Sequence, residues 1–352
     1  MAAKKRQVIG GVDTHGKTHH AAAIDRVGVL LGDQEFPATA AGYRALLAWL
    51  RRFGVVVKVG VEGSGSYGAG LARYLTGENV ELVEVDRPDR RARRARGKSD
   101  PLDAIAAARA ALSGQAAGTP KTRIGPVEAI RVLRVTRRGA VKARTAALNQ
   151  LHAVITSAPE SLRAQLLAVP AACLVAHCLT LPVNEADMSD PLTATAAALQ
   201  ALAERVRHLD AEIAQADKRV RPVVATTAPR LLALKGVGPE VAGQLLSTAG
   251  DNPHRLHSEA ALAHLCGAAP IPASSGRTHR HRLNRGGDRA ANTALHTIVL
   301  CRMRHDPRTQ AYVQRRTKQG LGKKEIIRCL KRYIVREVYH ALLADFTLLT
   351  TP

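Results

Sequence analysis

Strand-like runs crowd the first part of the chain, and between Pro126 and about Val224 there are none. The run 7–13 (QVIGGVD) is followed by 20–27 and 28–36 with a turn at Gly28, which reads as one strand continued into a hairpin. Residues 40–53 carry Tyr43, Leu46, Leu47 and Leu50 at the 3–4 spacing of an amphipathic helix. A strand at 55–61, a helix at 67–75, a strand at 80–85 and a helix at 101–112 complete an alternation that ends near Gly118-Thr119-Pro120. This alternation predicts an α/β domain over residues 1–125. The Ala-, Leu- and Arg-rich stretch after it predicts a helical region over 126–225, and the break at Pro229 opens a mainly helical third region, 226–352.

At 352 residues the chain exceeds what one ordinary core needs, and with 46% apolar residues it can bury more than one. Lysine and arginine outnumber aspartate and glutamate 52 to 29, a net charge of +23 that suits a polyanion, so nucleic acid is the expected partner. Aromatics are only 3%, which excludes extensive base stacking and leaves backbone electrostatics as the main contact. The five cysteines are scattered and form no C-x-x-C pair, which fits reduced thiols and argues against a zinc ribbon. No run approaches the ~18 apolar residues of a membrane span, and the N-terminus lacks a signal-peptide core. An intracellular soluble protein is expected.

Leu192, Thr195, Leu199, Leu202, Val206, Leu209, Ile213, Ala216 and Val220 alternate 3 and 4 apart, the a/d seam of a heptad repeat. A helix this long would span ~43 Å at the usual rise, and the seam predicts a coiled coil with another helix, expected from a second subunit.

Asp13 ends the first strand and Glu62 ends the strand that begins at Val55, at the sheet edge where α/β proteins bind ligands. Asp100 and Asp103 lie three apart, on adjacent turns at the start of a helix. Asp100-Pro101-Leu102-Asp103 is also a good helix cap, but these acids directly follow Arg87, Arg90, Arg91, Arg93, Arg94, Arg96 and Lys98, a segment suited to phosphate. Four converging carboxylates are hard oxygen ligands for Mg²⁺ or Mn²⁺, the ions of phosphoryl transfer. A rival overlaps Glu62: Gly63-Ser-Gly65-Ser-Tyr-Gly68 is a literal G-x-G-x-x-G, with Glu84 and Asp86 at the distance of a ribose contact. It does not open its domain, and a dinucleotide would not explain the charge.

Leu231 to Val241, with Gly236 and Gly238, has the form of a helix–hairpin–helix element whose N–H groups can meet a phosphate. The loop Gly267–Arg277 then presents Ser274-Ser275-Gly276, and Arg277, Arg280 and Arg282 follow it. The closing helices carry Lys323, Lys324, Lys331 and Arg332 among many cations, a density that reads as nucleic-acid backbone contact.

Taken in order, Gly11-Val-Asp13-Thr-His-Gly-Lys-Thr-His, Val61-Glu62-Gly-Ser-Gly-Ser-Tyr-Gly, Lys98-Ser-Asp100-Pro-Leu-Asp103-Ala, Leu234-Lys-Gly-Val-Gly-Pro and Ser274-Ser275-Gly276 resemble the IS one-ten family of insertion-sequence transposases. The likeness covers nearly the whole chain. It implies an N-terminal RuvC-like domain of the RNase H fold with a D-E-D-D metal site at Asp13, Glu62, Asp100 and Asp103, a coiled-coil middle and a C-terminal transposase domain. It further implies a nucleophilic serine, which is Ser274 by its place in the motif, with Ser275 as the fallback. Its partners would be double-stranded donor and target DNA, a structured bridge RNA that pairs with both, and further copies of the chain in a dimer or tetramer. The implied activity is RNA-guided strand exchange through a covalent phosphoserine, in a bacterial cytoplasm at the nucleoid. The alternative is a RuvC-like junction resolvase that hydrolyses with metal-activated water and needs no serine.

Overall fold

The computed structural model describes residues 6–85, 99–116, 118–276 and 281–350. The chain divides into two compact units, one of residues 1–125 and 248–262 and the other of 126–247 and 263–352.

The first unit is built on a five-stranded sheet. β1 (Gln7–Thr14), β2 (Thr18–Ile24) and β3 (Leu30–Pro37) are antiparallel neighbours, and β4 (Val55–Glu62) and β5 (Glu81–Val85) add on parallel to β1, giving the order β3-β2-β1-β4-β5. One face packs on helices α1 (Ala40–Arg52) and α2 (Ala69–Gly77), where Val8, Val12, Ala21, Ala23 and Phe36 meet Leu46, Leu47, Leu50, Leu71 and Leu75. Thr39 caps α1 by accepting from the Gly42 N–H at 3.2 Å.

The other face carries α3 (Asp100–Ser113), which sits unusually close. A Cβ at Gly11 would fall 2.2 Å from the Ala104 carbonyl oxygen, and one at Gly60 would fall 2.6 Å from that of Ala107. Glycines on the sheet and alanines at 104, 107, 108 and 111 thus let the two backbones touch. Ala104 lies over Gly11 and Ala111 near Ile9 and Ile24, so the N-terminus of α3 points toward the carboxyl end of β1.

Among its described residues the second unit is helical apart from a short ribbon of two residues per strand, β6 (Ile271–Pro272) with β7 (His281–Arg282). Its long helices are α4 (Gly125–Thr156) and α7 (Pro191–Thr227), separated by the short helices α5 (Glu160–Leu167) and α6 (Leu174–Cys178). Arg137 pairs with Asp217 at 2.6 Å and Arg144 with Asp210, a descending match that makes α4 and α7 antiparallel. Ala196, Leu199 and Ala203 pack on Leu151, Ile155, Leu162 and Leu174. Part of the heptad seam is therefore covered by helices of the same chain, while Thr195, Leu202 and Ile213 are only half-buried. Leu199, Val206, Leu209, Ala216 and Val220 are buried here, while Leu192 is exposed. The periodicity marks a stripe that is partly buried against helices of the same chain.

The short helix α8 (Pro229–Leu232) and α9 (Pro239–Ala249) flank the Gly236 turn, and α10 is Glu259–Leu265. Three further helices close the chain: α11 (Arg289–His305), α12 (Pro307–Lys318) and α13 (Lys323–Thr350). Asp288 and Asp306 cap α11 and α12 through N–H groups of Ala290, Ala291 and Thr309. Buried Asp345 accepts from the N–H groups of Arg230 and Leu231 at 2.9 and 3.0 Å, satisfying the start of α8. Among the described residues, no helix is long and apolar enough to cross a membrane.

Candidate functional site

Register brings two of the acids together. Val12 pairs with Val61, so Asp13 and Glu62 follow on neighbouring strands at the same edge, and the Thr14 hydroxyl donates to the Glu62 carbonyl at 2.7 Å. The close seat of α3 brings Asp100 to the same edge, while Glu62 and Asp103 stay outside the group that converges there. The N-cap of α3 is Ser99, so Asp100 is the first helical residue and its carboxylate turns toward β1 instead of capping. His15 joins the two ends, with Nε2 3.2 Å from Asp13 Oδ2 and 3.3 Å from Asp100 Oδ1. Ligand atoms of Asp13, His15 and Asp100 all lie within 4.8 Å of one another. Asp103, one turn along α3, is 4% exposed, Asp13 is 6% exposed and Glu62 is half-buried.

Holding the buried Asp13 carboxylate beside that of the half-exposed Asp100 is costly unless a cation faces them. Carboxylate oxygens fit Mg²⁺ or Mn²⁺, and an added imidazole favours the softer Mn²⁺ of the two. The residues present therefore suit the group that the sequence implied. His15 is the residue that sequence reasoning passed over. Its signal was the two-residue spacing from Asp13, since alternate side chains at a strand end share a face.

The G-x-G-x-x-G rival fares differently. The N–H groups of Ser66 and Gly68 both donate to the Gly63 carbonyl, at 2.8 and 3.1 Å, so the turn spends on itself the donors that a pyrophosphate would need. Ser64 donates to Glu84 Oε1 at 2.7 Å, and Arg255 lies 3.5 Å from the same carboxylate, which holds Glu84 in place of a ribose. Asp86 lies outside the described residues.

So do the basic positions Arg90, Arg91, Arg93, Arg94 and Arg96, and Arg277 and Arg280 beyond the serines. Ser274 and Ser275 are both exposed just after β6, and their burial does not separate them. In the turn between α8 and α9, Gly236 has φ +83°, a conformation that favours glycine, while Gly238 is exposed. Arg302 steadies this turn, donating from Nε to the Lys235 carbonyl at 2.8 Å while its Nη1 pairs with Glu337 at 2.7 Å. Arg134, 3% exposed, ties α4 to α9 through Glu240, Gln244 and Ser247. Arg282, Lys323 and Lys324 are exposed, and Lys331 and Arg332 half-buried.

Two family models match the chain in order. One, described as Transposase and of the IS110 DEDD type, covers residues 10–158, and the other, described as Transposase IS116/IS110/IS902 family, covers residues 228–314. No curated protein matches the chain. The mixed sheet and the mostly helical remainder are consistent with the RNase H-like domain of DEDD transposases. Matched over well over half its length, the chain belongs to the IS110 (IS one-ten) family of transposases, which are DNA-processing enzymes.

Proposed function

We propose that the chain is the site-specific recombinase of an insertion sequence, which cuts and rejoins donor and target DNA under the direction of a structured guide RNA. The observation that carries this reading is the convergence of Asp13, His15 and Asp100 at the carboxyl edge of the sheet in a chain of charge +23. Asp13, Glu62, Asp100 and Asp103 would hold Mg²⁺ or Mn²⁺, which when bound stabilises charge on the phosphate oxygens of the strand. Asp13 and Asp103 are buried and held by strand and helix, so they are preorganised for that role.

Ser274 is the proposed nucleophile. Its oxygen forms a bond to phosphorus as the P–O ester bond of the strand breaks; the serine proton is lost, and the departing strand end takes up a proton and leaves as a hydroxyl. The new ester keeps the bond energy, so attack by a strand hydroxyl can rejoin DNA and free the serine. Arg277, Arg280 and Arg282 supply cations next to it in sequence. The Gly236–Gly238 turn is proposed as a helix–hairpin–helix contact to the backbone. The dimer or tetramer expected of such a recombinase is proposed to pair through the helix that carries the heptad seam.

The test is strand exchange by the purified chain with its RNA and two DNA duplexes. Asp13→Asn, Glu62→Gln and Asp103→Asn should each lower exchange by ~10²-fold or more while leaving DNA retention intact. Ser274→Ala should form no protein–DNA adduct after denaturation. Full exchange in Ser274→Ala with loss in Ser275→Ala moves the nucleophile by one residue, and full activity in the double variant replaces this mechanism with metal-dependent hydrolysis.

A further inference from the structure

Between the β6–β7 ribbon and the last helix, the second unit forms an open cleft of about 540 Å³. That is the size range of small-ligand pockets. Arg282, Arg316, Arg328, Lys331 and Arg332 contribute to its walls, against Glu325 as the one acid among the described residues that line it. Glu325 is occupied: its Oε2 accepts from the Gly322 N–H at 3.1 Å, and its Oε1 lies 3.7 Å from Arg328.

Lys331 is placed with particular care. Its Nζ lies 2.6 Å from Asn292 Oδ1, and the Asn292 amide is fixed because Nδ2 donates to the carbonyls of Cys266 and Gly267 at 2.9 and 3.0 Å. Burial pushes the Lys331 ammonium below its ordinary value, so an anion beside it would restore what desolvation costs. Arg316 donates from Nη1 to Gln319, and its buried Nε has no hydrogen-bond partner among the described residues.

An inorganic anion would need only the cations. This cleft also has an apolar wall, with Leu283 57% and Tyr333 52% exposed. Of the few aromatic residues in the chain, Tyr67 and Tyr333 are the exposed ones. Tyr333 stands edge-on to Tyr312, with centroids 5.6 Å apart, and Arg315 lies over the Tyr312 ring, so Tyr333 is braced. A braced, exposed ring beside half-buried cations suits a base joined to a phosphate.

We propose that this cleft takes one nucleotide, unstacked from a nucleic-acid strand, with its phosphate on Lys331, Arg316 and Arg328 and its base against Tyr333. The proposal rests on the nucleic-acid role above, but its test needs no strand exchange, so either can fail alone. The full chain is titrated with dAMP, AMP, ribose 5-phosphate and inorganic phosphate, and binding is followed on the ligands by saturation-transfer NMR. We expect dAMP or AMP to bind at least about fivefold tighter than ribose 5-phosphate, from the stacking contribution of one base. Tyr333→Ala should abolish that difference and Tyr333→Phe should keep it. Lys331→Met should weaken the nucleotides and ribose 5-phosphate alike. Should its circular dichroism reveal unfolding, Arg328→Gln, at a partly exposed position, takes its place. A preference for dAMP assigns DNA as the source and a preference for AMP assigns RNA, and either upholds the site. Nucleotides that bind no tighter than ribose 5-phosphate, or a Tyr333→Ala chain that keeps the base preference, overturn it.

Discussion

His15 Nε2 lies within 3.3 Å of carboxylate oxygens from both β1 and α3, with its side chain 42% exposed. If it shares an ion with Asp13 and Asp100, His15→Ala should lower Mn²⁺ affinity by about tenfold or more, with circular dichroism unchanged. Calorimetric titration that returns the wild-type affinity would reduce His15 to a solvated neighbour. His19 makes the opposite case. It is fully buried, donates through Nδ1 to the Thr18 carbonyl at 3.0 Å and stacks on Tyr43 with planes 7° apart. Burial holds its pKa below 6.5, so the unfolded chain binds a proton that the folded chain refuses. This contribution to stability is present above about pH 6.5 and is lost as pH falls toward the lowered value. His19→Phe, which keeps a ring against Tyr43, should therefore flatten the fall in thermal midpoint between pH 7.5 and 5. Equal slopes would assign that titration elsewhere. At this scale the sequence was informative where chemistry is local: Asp13 and Glu62 announce themselves at strand ends. It could not distinguish Asp100 as a helix cap from Asp100 as a site residue, because that depends on how closely α3 approaches the sheet.

That approach is a property of elements. The strand–helix alternation was legible from turn residues and spacing, and β1 to β5 fall close to the expected runs. The small-residue seam Gly11, Gly60, Ala104, Ala107 and Ala108 was not, because close backbone contact leaves no periodic apolar signal. Gly11→Ala puts its methyl into the Ala104 carbonyl and the Ala108 backbone, so α3 must lift. A cost of about 1–3 kcal/mol follows from overpacking of this kind. Activity should fall further than stability, because Asp100 and Asp103 ride on the displaced helix. Chemical denaturation together with strand exchange checks both, and exchange that falls only as far as the folded fraction would show that the spacing tolerates the shift. The heptads teach the converse. Leu199, Val206 and Val220 fit a coiled coil in sequence, yet α4 of the same chain lies antiparallel to them and carries Arg137 and Arg144 to meet Asp217 and Asp210. Spacing identifies the face to be buried, and which helix covers it depends on connectivity that spacing does not encode.

For the molecule as a whole, the charge of +23 means that self-repulsion is a standing cost, accepted where a polyanion is to be bound. Helix α13 displays the conflict at one point. It begins with Lys323 and Lys324, both exposed, at the end of a helix whose dipole favours anions. Local stability alone would select acids there, and Glu325 is the one acid in that turn. The two lysines are accounted for if they face phosphate. Lys323→Gln with Lys324→Gln should then act in opposite directions on two measurements. Thermal stability of the free chain should hold or rise, by a few tenths of a kcal/mol for each removed dipole clash. The slope of log K against log salt for DNA should become shallower by up to ~1.8, about 0.9 for each lost phosphate contact. An unchanged slope with raised stability would make these lysines solvated charges. An unchanged slope with lowered stability would mean that they hold the helix start in some other way, and in either case the phosphate track would have to run over a different part of the basic surface.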